Sequence, residues 1–379
     1  MGDATVLLPT AAGELHPYTF SGTHLDGELA PPRTRNAYAA AHVVADPLRG
    51  GVDWDATIAY RRYLWSRGLG VAEAMDTAQR GMGLDPADVA PLIRRAVDAA
   101  AEVDGAVAVG MATDALPPGP APLDAIVGAY RDQLDLLAGT AAMPVIMASR
   151  QLAHTATGVG DYRQVYDAVL TGLDRPVLLH WLGAMFDPEL VGYWGSRDLS
   201  AAVDNLIDLV TDHAGVVAGV KVSLLDATAE VSFRRRLPAG VACYTGDDFN
   251  YPQLIAGDEH GFSHALLGIF DAIADVAGAA LAALDADDRT RYDELLAPTV
   301  PLSRTLFGAP TFHYKTGIVF LAYLRGHQDH FRMLGGAESA RSVVHLAELV
   351  RLADAAGLFA DPDDVARRLR PILNAAGIW

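Results

Sequence analysis

Short apolar segments alternate with amphipathic segments along most of this chain, and the alternation occurs eight times. Continuous apolar segments are typical of strands buried on both faces, as in a parallel sheet. The predicted strands are Tyr38–Val44, Gly70–Met75, Ala106–Met111, Pro144–Ala148, Pro176–Trp181, Val216–Val222, Gly240–Tyr244 and Gly261–Leu266. The predicted helices between them include Asp55–Ser66, Pro86–Ala101, Leu123–Leu137, Asp161–Gly172 and Leu199–Ala214. Eight such units predict an α/β protein with a closed (β/α)₈ TIM barrel, and a doubly wound open sheet is the alternative.

Further elements flank the eight units. Thr5–Pro9 and Glu14–Phe20 surround a short Ala-Ala-Gly turn, which predicts an N-terminal β-hairpin. After the eighth unit the pattern is helical, over Leu267–Ala283, Asp288–Ala297, Lys315–Leu324, Ser339–Ala356 and Pro362–Ala375. The proline-rich stretch Pro298–Phe312 is predicted to separate the second of these helices from the third. We therefore expect residues 1–266 to form the barrel with its hairpin, and residues 267–379 to form a C-terminal helical segment.

Composition narrows the classes of function. The 379 residues carry a formal net charge of −18, which argues against nucleic acid or an anionic membrane as partner because both need basic surface. A single cysteine, Cys243, excludes an internal disulfide framework and cysteine-rich metal sites. No segment is apolar over the length of a membrane span, and the N-terminus lacks a basic signal sequence. We expect a cytoplasmic protein that acts on a small molecule without a cofactor.

The lysines are the most unusual feature of the composition. Of the 29 lysines and arginines only two are lysines, Lys221 and Lys315. Lys221 lies near the end of the apolar segment Gly215–Val222, where burial would disfavour the ammonium and leave a nucleophilic amine. Arginine can replace lysine where only charge is needed, so a remaining lysine suits chemistry that requires an amine. The other interpretation of Lys221 is a lysine that reaches solvent from a strand end. Lys315 is interpreted as an ordinary charge at the start of a helix.

Reactive residues of a (β/α)₈ barrel lie at the carboxyl ends of its strands and in the loops that follow. That rule selects Asp76, Thr77, Thr113, Asp114, Ser149, Arg150, His180, Trp181, Lys221, Ser223, Tyr244, Thr245, Asp247, Asp248, Ser263 and His264. Most of these are expected to be polar loop residues without a catalytic part. The pair Asp247-Asp248, taken alone, is more typical of a helix N-cap than of an acid pair.

Three motifs resemble one enzyme superfamily. Gly219-Val220-Lys221 is similar to the Gly-Ile-Lys of the dihydrodipicolinate synthase and N-acetylneuraminate lyase superfamily. Thr245-Gly246-Asp247-Asp248 resembles its Ser-Gly-Asp-Asp, and Pro310–Lys315 resembles its Pro-x-x-x-Lys. The resemblance extends from about Tyr38 to the end of the chain. It implies a class I aldolase, a barrel with a C-terminal helical segment in which Lys221 forms an imine with a 2-oxo acid.

The chain departs from this superfamily after two strands. The family's Tyr-Asn-x-Pro after strand five, with the tyrosine as proton relay, is here His180-Trp181-Leu182-Gly183. The family's Gly-Thr-Thr-Gly-Glu after strand two is here Met75-Asp76-Thr77-Ala78-Gln79. The register implies that His180 replaces the tyrosine, and an imidazole that titrates near neutrality suits proton transfer. Without the resemblance, a histidine bonded to a neighbouring carbonyl is the more usual interpretation. These departures indicate a divergent branch rather than dihydrodipicolinate synthase itself.

The resemblance thus predicts a Schiff-base lyase or aldolase for a pyruvate-type or 2-oxo-3-deoxy sugar acid, with Lys221 and His180 as catalytic residues. The predicted substrate-binding residues are Asp76, Thr77, Arg150, Tyr244 and Asp247.

Two other classes of function stay open at this point. A metal-dependent isomerase or hydrolase could use His180, Asp187, His213, Asp226 and Asp247, with Lys221 stabilising an enolate. A barrel that has lost catalysis and only binds a ligand is the third possibility. The prediction of the oligomeric state does not depend on the function. The apolar stretches Ile318–Leu324 and Val343–Leu352 lie outside the barrel units, and we expect a homodimer or homotetramer that covers them.

Overall fold

A computed structural model describes residues 4–25 and 29–379 of the chain. Two strands of this described part, β1 (Thr5–Pro9) and β2 (Leu15–Thr19), form an antiparallel hairpin. Eight further strands are parallel and close into a barrel in which chain order is spatial order and the last strand pairs with the first. They are β3 (Ala37–Ala40), β4 (Gly70–Glu73), β5 (Val107–Met111), β6 (Met143–Ile146), β7 (Val177–Leu182), β8 (Val217–Ser223), β9 (Ala242–Thr245) and β10 (His264–Leu267). The TIM barrel and the hairpin are confirmed, and each predicted strand overlaps an observed one.

The connections between barrel strands contain eight α-helices in the described part of the chain. They are α1 (Trp54–Ser66), α2 (Pro86–Val103), α3 (Leu123–Asp135), α4 (Arg150–Thr155), α5 (Val159–Leu170), α6 (Leu199–Asp212), α7 (Ala227–Arg234) and α8 (Tyr251–Ala256). Asp53, Asp85 and Asp198 cap α1, α2 and α6 by accepting a hydrogen bond from a first-turn amide. The short helices α4, α7 and α8 escaped prediction because two turns give too little periodicity. Over residues 4–25 and 29–379, no helix is long and apolar enough to cross a bilayer.

Seven helices follow the eighth barrel strand. They are α9 (Ile269–Ala272), α10 (Ala274–Asp285), α11 (Arg289–Leu296), α12 (Thr299–Leu306), α13 (Tyr314–Leu324), α14 (Val343–Ala355) and α15 (Pro362–Ala375). Helix α12 corrects the prediction of a separating stretch over Pro298–Phe312. Pro301 is the third residue of α12, within the first turn, where a proline removes no intrahelical hydrogen bond.

Helix α13 is buried along its whole length within the single chain, because it packs against α9, α14 and α15. The interpretation that Ile318–Leu324 needs a partner surface is therefore wrong, since the chain's own helices cover that stretch. Leu346, Leu349 and Val350 of α14 are buried as well. A homo-oligomer remains a prediction, but the apolar stretches of α13 and α14 do not support it.

The N-terminal hairpin packs against the C-terminal helices, a contact that the sequence did not predict. β1 contacts α14 and α15. The carboxylate of Asp354 on α14 accepts hydrogen bonds from the Tyr18 hydroxyl at 2.7 Å and from the amide and hydroxyl of Ser21, both at 3.0 Å. Asp354 is only 4% exposed, so these bonds offset the desolvation of its charge. The hairpin and the last helices are thus held together by a buried polar contact.

An apolar cluster fills the barrel axis and is separate from the core between sheet and helices. Its buried members are Ala40, Ala72, Met75, Ala108, Ala112, Val145, Met147, Leu178, Tyr244 and Leu266. Lys221 is the register partner of Tyr244 on β9 and of His180 on β7. Because register partners on neighbouring strands project to the same face of the sheet, Lys221 and His180 both project into the barrel. The barrel therefore brings a histidine and a lysine together inside an otherwise apolar axis.

On the outer face of the sheet, a carboxyl group is buried under α7. Glu230 is 1% exposed and accepts hydrogen bonds from the hydroxyls of Thr245 at 2.9 Å and Ser263 at 2.7 Å. Burial raises the pKa of Glu230 from its ordinary value of 4.5 to about 8. The folded protein therefore holds this carboxyl protonated at neutral pH, whereas the unfolded chain ionises it.

We predict that Glu230→Gln flattens the pH dependence of stability. Because the folded pKa is the higher one, Glu230 lowers the free energy of unfolding as the pH rises from about 5 to about 8. The neutral amide does not titrate, so the variant should lose less stability than the parent over that interval. Urea unfolding at several pH values measures the difference. Parallel curves for parent and variant would contradict the prediction.

Candidate active site

Lys221 lies on β8, the sixth barrel strand, and is 5% exposed. Burial lowers the pKa of its amine, and the carboxylates of Asp76 and Asp248 oppose that shift. Gly246 leaves the room for the side chain, since a Cβ there would approach Lys221 Cε to 2.8 Å and would collide with the Ser223 hydroxyl. The predicted burial of Lys221 is confirmed, and its interpretation as a lysine that reaches solvent is wrong.

His180 lies beside Lys221 on β7 and is completely buried. Its Nε2 is 3.1 Å from the Ser223 hydroxyl, and its Nδ1 has no hydrogen-bond partner among the described residues. Burial lowers the pKa of His180 well below its ordinary value of 6.5, and Lys221 lowers it further while Asp76 opposes the shift. The expectation that this imidazole titrates near neutrality is therefore corrected. Desolvation disfavours the imidazolium, so the ring is neutral at pH 7.

The turn after β4 carries Asp76 and Thr77 to the same end of the barrel. Ala74 and Gln79 in this turn have φ values of 53° and 60°, in the left-handed region that side chains other than glycine rarely adopt. Such conformations cluster at functional sites, where the surrounding structure holds them in place. Asp76 and Thr77 are thus fixed by the backbone rather than free in a loop.

Tyr314 at the start of α13 joins Asp76 and Thr77. Its hydroxyl donates to Asp76 Oδ2 at 2.8 Å and lies 2.6 Å from Thr77 Oγ1. Its ring stacks on Phe307 at a centroid distance of 4.4 Å, which fixes its position. A residue of the C-terminal helical segment therefore completes the polar surroundings of the barrel site.

Lys315 corrects a prediction, because it is not an ordinary charge at a helix start. It is 4% exposed, its Nζ donates to the Phe312 carbonyl at 3.2 Å, and it lies 3.7 Å from Asp76 Oδ2. Burial lowers the pKa of Lys315, which Asp76 opposes. For Asp76, burial alone would raise the pKa of the carboxyl group. The nearby charges of Lys315 and Lys221 outweigh burial and hold that pKa below its ordinary value. Both lysines of the chain therefore act on one carboxylate.

The site adjoins a cavity of about 550 Å³ between the loops that follow β4, β5, β6 and β7, which we call the mouth cavity. Asp76, Lys315 and Arg150 are among the residues that line it. Arg150 donates to Asp187 Oδ2 at 2.6 Å and is partly exposed at the rim. Two of the predicted substrate-binding residues, Asp76 and Arg150, thus face a space large enough for a small ligand.

Two other predicted substrate-binding residues serve the protein itself. Tyr244 points toward the amino ends of the strands, where its hydroxyl accepts a hydrogen bond at 3.0 Å from Asn36, the residue before β3. The Asp247 carboxylate accepts from the amides of Phe249 at 2.9 Å and Asn250 at 3.0 Å, so it caps the following turn. Neither Tyr244 nor Asp247 lines the mouth cavity, and Asp247 stabilises a turn but is not the N-cap of α8, which is Asn250.

Four candidates from the strand ends lie away from the site. Ser263 and His264 are at the amino end of β10, because the observed strand begins at His264 and the predicted one began at Gly261. Trp181 and Thr245 alternate with the inward His180 and Tyr244 and so face the helices, where Trp181 packs edge-on against Phe233.

The residues suggested for a metal site do not converge either. His213 lies at the amino end of β8 and pairs with Asp167 at 2.7 Å, whereas Asp226 caps α7. Asp187 is the partner of Arg150. Among the residues that the structure describes, no group of three or more His, Cys, Asp or Glu side chains is arranged to hold a metal ion.

Asp248, Tyr314 and Lys315 are not among the active-site residues that the sequence predicts. Asp248 accepts a hydrogen bond from the Ile269 amide at 2.8 Å, and burial raises its pKa to about 8 although Lys221 opposes the shift. The sequence feature that could have identified Asp248 is its position at the end of the Thr245–Asp248 motif. For Tyr314 and Lys315 it is their position at the end of the Pro310–Lys315 motif.

Comparisons with known proteins agree with this architecture. The YagE protein of Escherichia coli K12, of the dihydrodipicolinic acid synthase family, matches with a TM-score of 0.66 and 12% identity over 86% of this chain and 100% of its own. A putative dihydrodipicolinate synthetase from Pseudomonas aeruginosa gives 0.65 and 16% over the same shares, and the Thermotoga maritima dihydrodipicolinate synthase gives 0.64 and 15%. At these identities the likeness shows a common fold.

A family model described as a protein of unknown function, DUF993, matches residues 6–378. The chain belongs to the DUF993 family. No curated protein sequence matches it significantly. The DUF993 chain thus has the fold of the dihydrodipicolinate synthase family, as the sequence resemblance implied. Its residues after the second and fifth barrel strands, β4 and β7, differ from the family's motifs.

We predict that Lys221 of this DUF993 protein titrates below the ordinary lysine value of 10.5, and that Asp76→Asn lowers its pKa further by removing an opposing carboxylate. Competitive labelling with acetic anhydride as a function of pH, read by mass spectrometry, gives the pKa of each lysine peptide. Asp85→Asn, which alters a carboxylate that caps α2, is the matched control and should leave the value unchanged. A Lys221 amine that titrates at or above 10.5 would contradict this electrostatic description.

Proposed function

We propose that this DUF993 protein is a lyase of the class I aldolase type that acts on a 2-oxo acid through an imine at Lys221. The observation that carries the proposal is a buried amine of lowered pKa on the sixth strand of a closed barrel, next to a buried histidine. The structure of the fold neighbour YagE is of its complex with pyruvate, which supports a 2-oxo acid as the substrate class.

The proposed chemistry begins at the amine. The lone pair of neutral Lys221 adds to the C2 carbonyl carbon, and the carbonyl oxygen leaves as water after taking up protons, which gives a protonated imine. The C3–C4 bond then breaks, its electron pair moves toward the imine as an enamine, and the C4 hydroxyl loses a proton to release an aldehyde. Protonation at C3 and hydrolysis of the imine return the amine and a shorter 2-oxo acid.

His180 is proposed to move protons in these steps, together with Ser223. Its Nε2 lies 3.1 Å from the Ser223 hydroxyl, and Ser223 is two residues after Lys221 on the same face of β8. The hydroxyl can pass a proton between the imidazole and a group bound at Lys221. Because the ring is neutral at pH 7, it can accept a proton in the resting state.

Asp76, Thr77 and Lys315 are proposed to handle the charges of the substrate. The Lys315 ammonium makes one hydrogen bond to protein, so its other N–H groups can bind a carboxylate. Asp76 opposes the loss of the proton from Lys221, and its charge would likewise favour the protonated imine. A barrel that only binds a ligand would use the same groups without forming the covalent bond.

We predict that sodium borohydride in the presence of pyruvate adds one reduced pyruvyl group to Lys221. Peptide mass spectrometry locates the adduct. Lys221→Arg should abolish it, because a guanidinium is not a nucleophile, and Asp85→Asn at the start of α2 is the control that should retain it. A modification confined to Lys315, or none with a panel of 2-oxo acids, would refute the aldolase proposal and leave the ligand-binding barrel.

We predict that His180→Ala lowers turnover about 10²–10⁴-fold with a smaller change in KM, while imine trapping at Lys221 persists. The parent rate should fall on the acid side, below pH 6.5, because burial lowers the pKa of His180 and only the neutral ring accepts a proton. His180→Tyr restores the residue of the related superfamily and should recover part of the rate at high pH. Turnover near the parent level in His180→Ala would move the relay to Asp76.

A further inference from the structure

The mouth cavity is larger than the reactive part of a 2-oxo acid requires. Its volume of about 550 Å³ lies within the range of pockets that enclose drug-sized ligands. Pyruvate has only six non-hydrogen atoms, so most of the cavity must receive the part of the substrate beyond the reacting carbons. The lining of the cavity therefore indicates what that part is.

Most of the polar side chains around the cavity already bond to the protein. Arg80 donates Nε to Asp114 at 2.9 Å, and its two terminal nitrogens donate to Asp114, Gln133 and the carbonyls of Ala74 and Gly110. All five N–H groups of this guanidinium are thereby used. Arg80 and Asp114 have little left to offer to a hydroxyl of a ligand.

A second network is satisfied in the same way. The Thr113 hydroxyl lies 2.6 Å from the Ser149 hydroxyl and donates to Gln151 Oε1 at 2.7 Å. The Gln151 amide nitrogen donates to the carbonyls of Leu116 at 3.4 Å and Pro117 at 3.2 Å. Gln151 thus fixes the loop after β5 instead of facing the cavity with free donors.

The apolar lining, by contrast, has nothing covering it on the cavity side. It comprises Leu116, Pro117, Pro118, Met147, Leu182, Phe186 and Leu190. Phe186 packs edge-on against Phe307 and Tyr314 at centroid distances of 6.2 Å, so this wall is held in place by aromatic contacts. Removing such a surface from water is the main favourable term that a ligand can gain here.

Spare hydrogen-bonding capacity remains at the exposed rim, on Arg150 and Glu189, and in the buried interior, on Lys315 and Asp76. Lys315 has N–H groups beyond its bond to Phe312, and Asp76 has a second carboxylate oxygen beyond the one that Tyr314 occupies. Asp76 also acts electrostatically on both Lys221 and His180. Leu182 of the apolar wall is the register partner of Ser223, so the apolar wall begins beside the reactive residues as well.

We propose that the physiological substrate carries an apolar alkyl or aryl tail, held by the Leu182, Phe186 and Leu190 wall, and not the polyhydroxylated tail of a sugar acid. This inference rests on the proposed imine chemistry, and it names the substrate class of that same site. In the direction of synthesis, the enzyme joins a pyruvate enamine to an apolar aldehyde. The carbonyl carbon of the aldehyde accepts the enamine electron pair, and its oxygen takes up a proton.

Aldol addition tests the proposal with aldehydes matched in carbon number. Pyruvate is supplied with butanal or with erythrose, and with benzaldehyde as an aryl case, and adducts are measured by mass spectrometry and by pyruvate consumption. Since a hydrophobic pocket discriminates about 10²-fold against an isostere that adds a hydroxyl, butanal and benzaldehyde should exceed erythrose by at least about 10-fold. Borohydride trapping with pyruvate alone runs in parallel.

Leu190→Thr tests the wall directly. The variant should lose most of the preference for butanal over erythrose while still trapping pyruvate at Lys221. Leu206→Thr is the matched control, because Leu206 is equally buried on α6 and does not line the cavity. It should keep the preference. If Leu190→Thr does not fold, as judged by thermal unfolding, the aldehyde comparison on the parent protein decides alone.

The outcomes separate the two proposals. If pyruvate is trapped at Lys221 but erythrose reacts as fast as butanal or faster, the apolar tail is refuted and the aldolase function stands. If no 2-oxo acid is trapped, both proposals fall. If trapping occurs and the apolar aldehydes are preferred only while Leu190 is present, both stand.

Discussion

Closure of eight parallel strands into one barrel decides which side chains can meet in this protein. Inward residues pack in layers along the barrel axis, and an inward side chain has no path to solvent except through an end of the barrel. His180 and Lys221 are register partners on β7 and β8, so the pairing of these strands sets an imidazole beside an amine, and closure buries both inside the barrel. Burial is the largest cause of the pKa shift of each. The chemical character of the site thus follows from the geometry of the sheet.

The parts of the structure that could be predicted from sequence are those whose signal is local. A continuous apolar segment marks a strand, and a lone lysine at its end marks a buried amine, so the eight strands and the burial of Lys221 were predictable. Ends of strands carry a weaker signal. An error of three residues at the start of β10 moved His264 from one end of the barrel to the other. The direction of the Tyr244 side chain depends on Asn36, which is distant in sequence, and no local pattern contains that contact.

The C-terminal helices show the limit of local reasoning most clearly. Lys315 begins an apolar helix, which by itself suggests a charge in solvent. In the structure α13 lies between α9, α14 and α15, and its first residues reach Asp76 of the second strand–helix unit. The same packing covers the apolar residues of α13 and α14 within the chain, so these residues do not indicate a partner subunit. Only the resemblance of Pro310–Lys315 to a known motif pointed toward this contact.

The contribution of α13 also sets the order in which the site can be assembled. A chain emerges from the ribosome amino end first, and its elements become available in that order. All eight barrel strands are complete at Leu267, whereas Tyr314 and Lys315 come later, and the helices α14 and α15 that hold α13 in place come later still. During synthesis the Lys221 amine therefore precedes both partners of Asp76. The site therefore has its full set of polar groups only after the C-terminal helices have packed against the finished barrel.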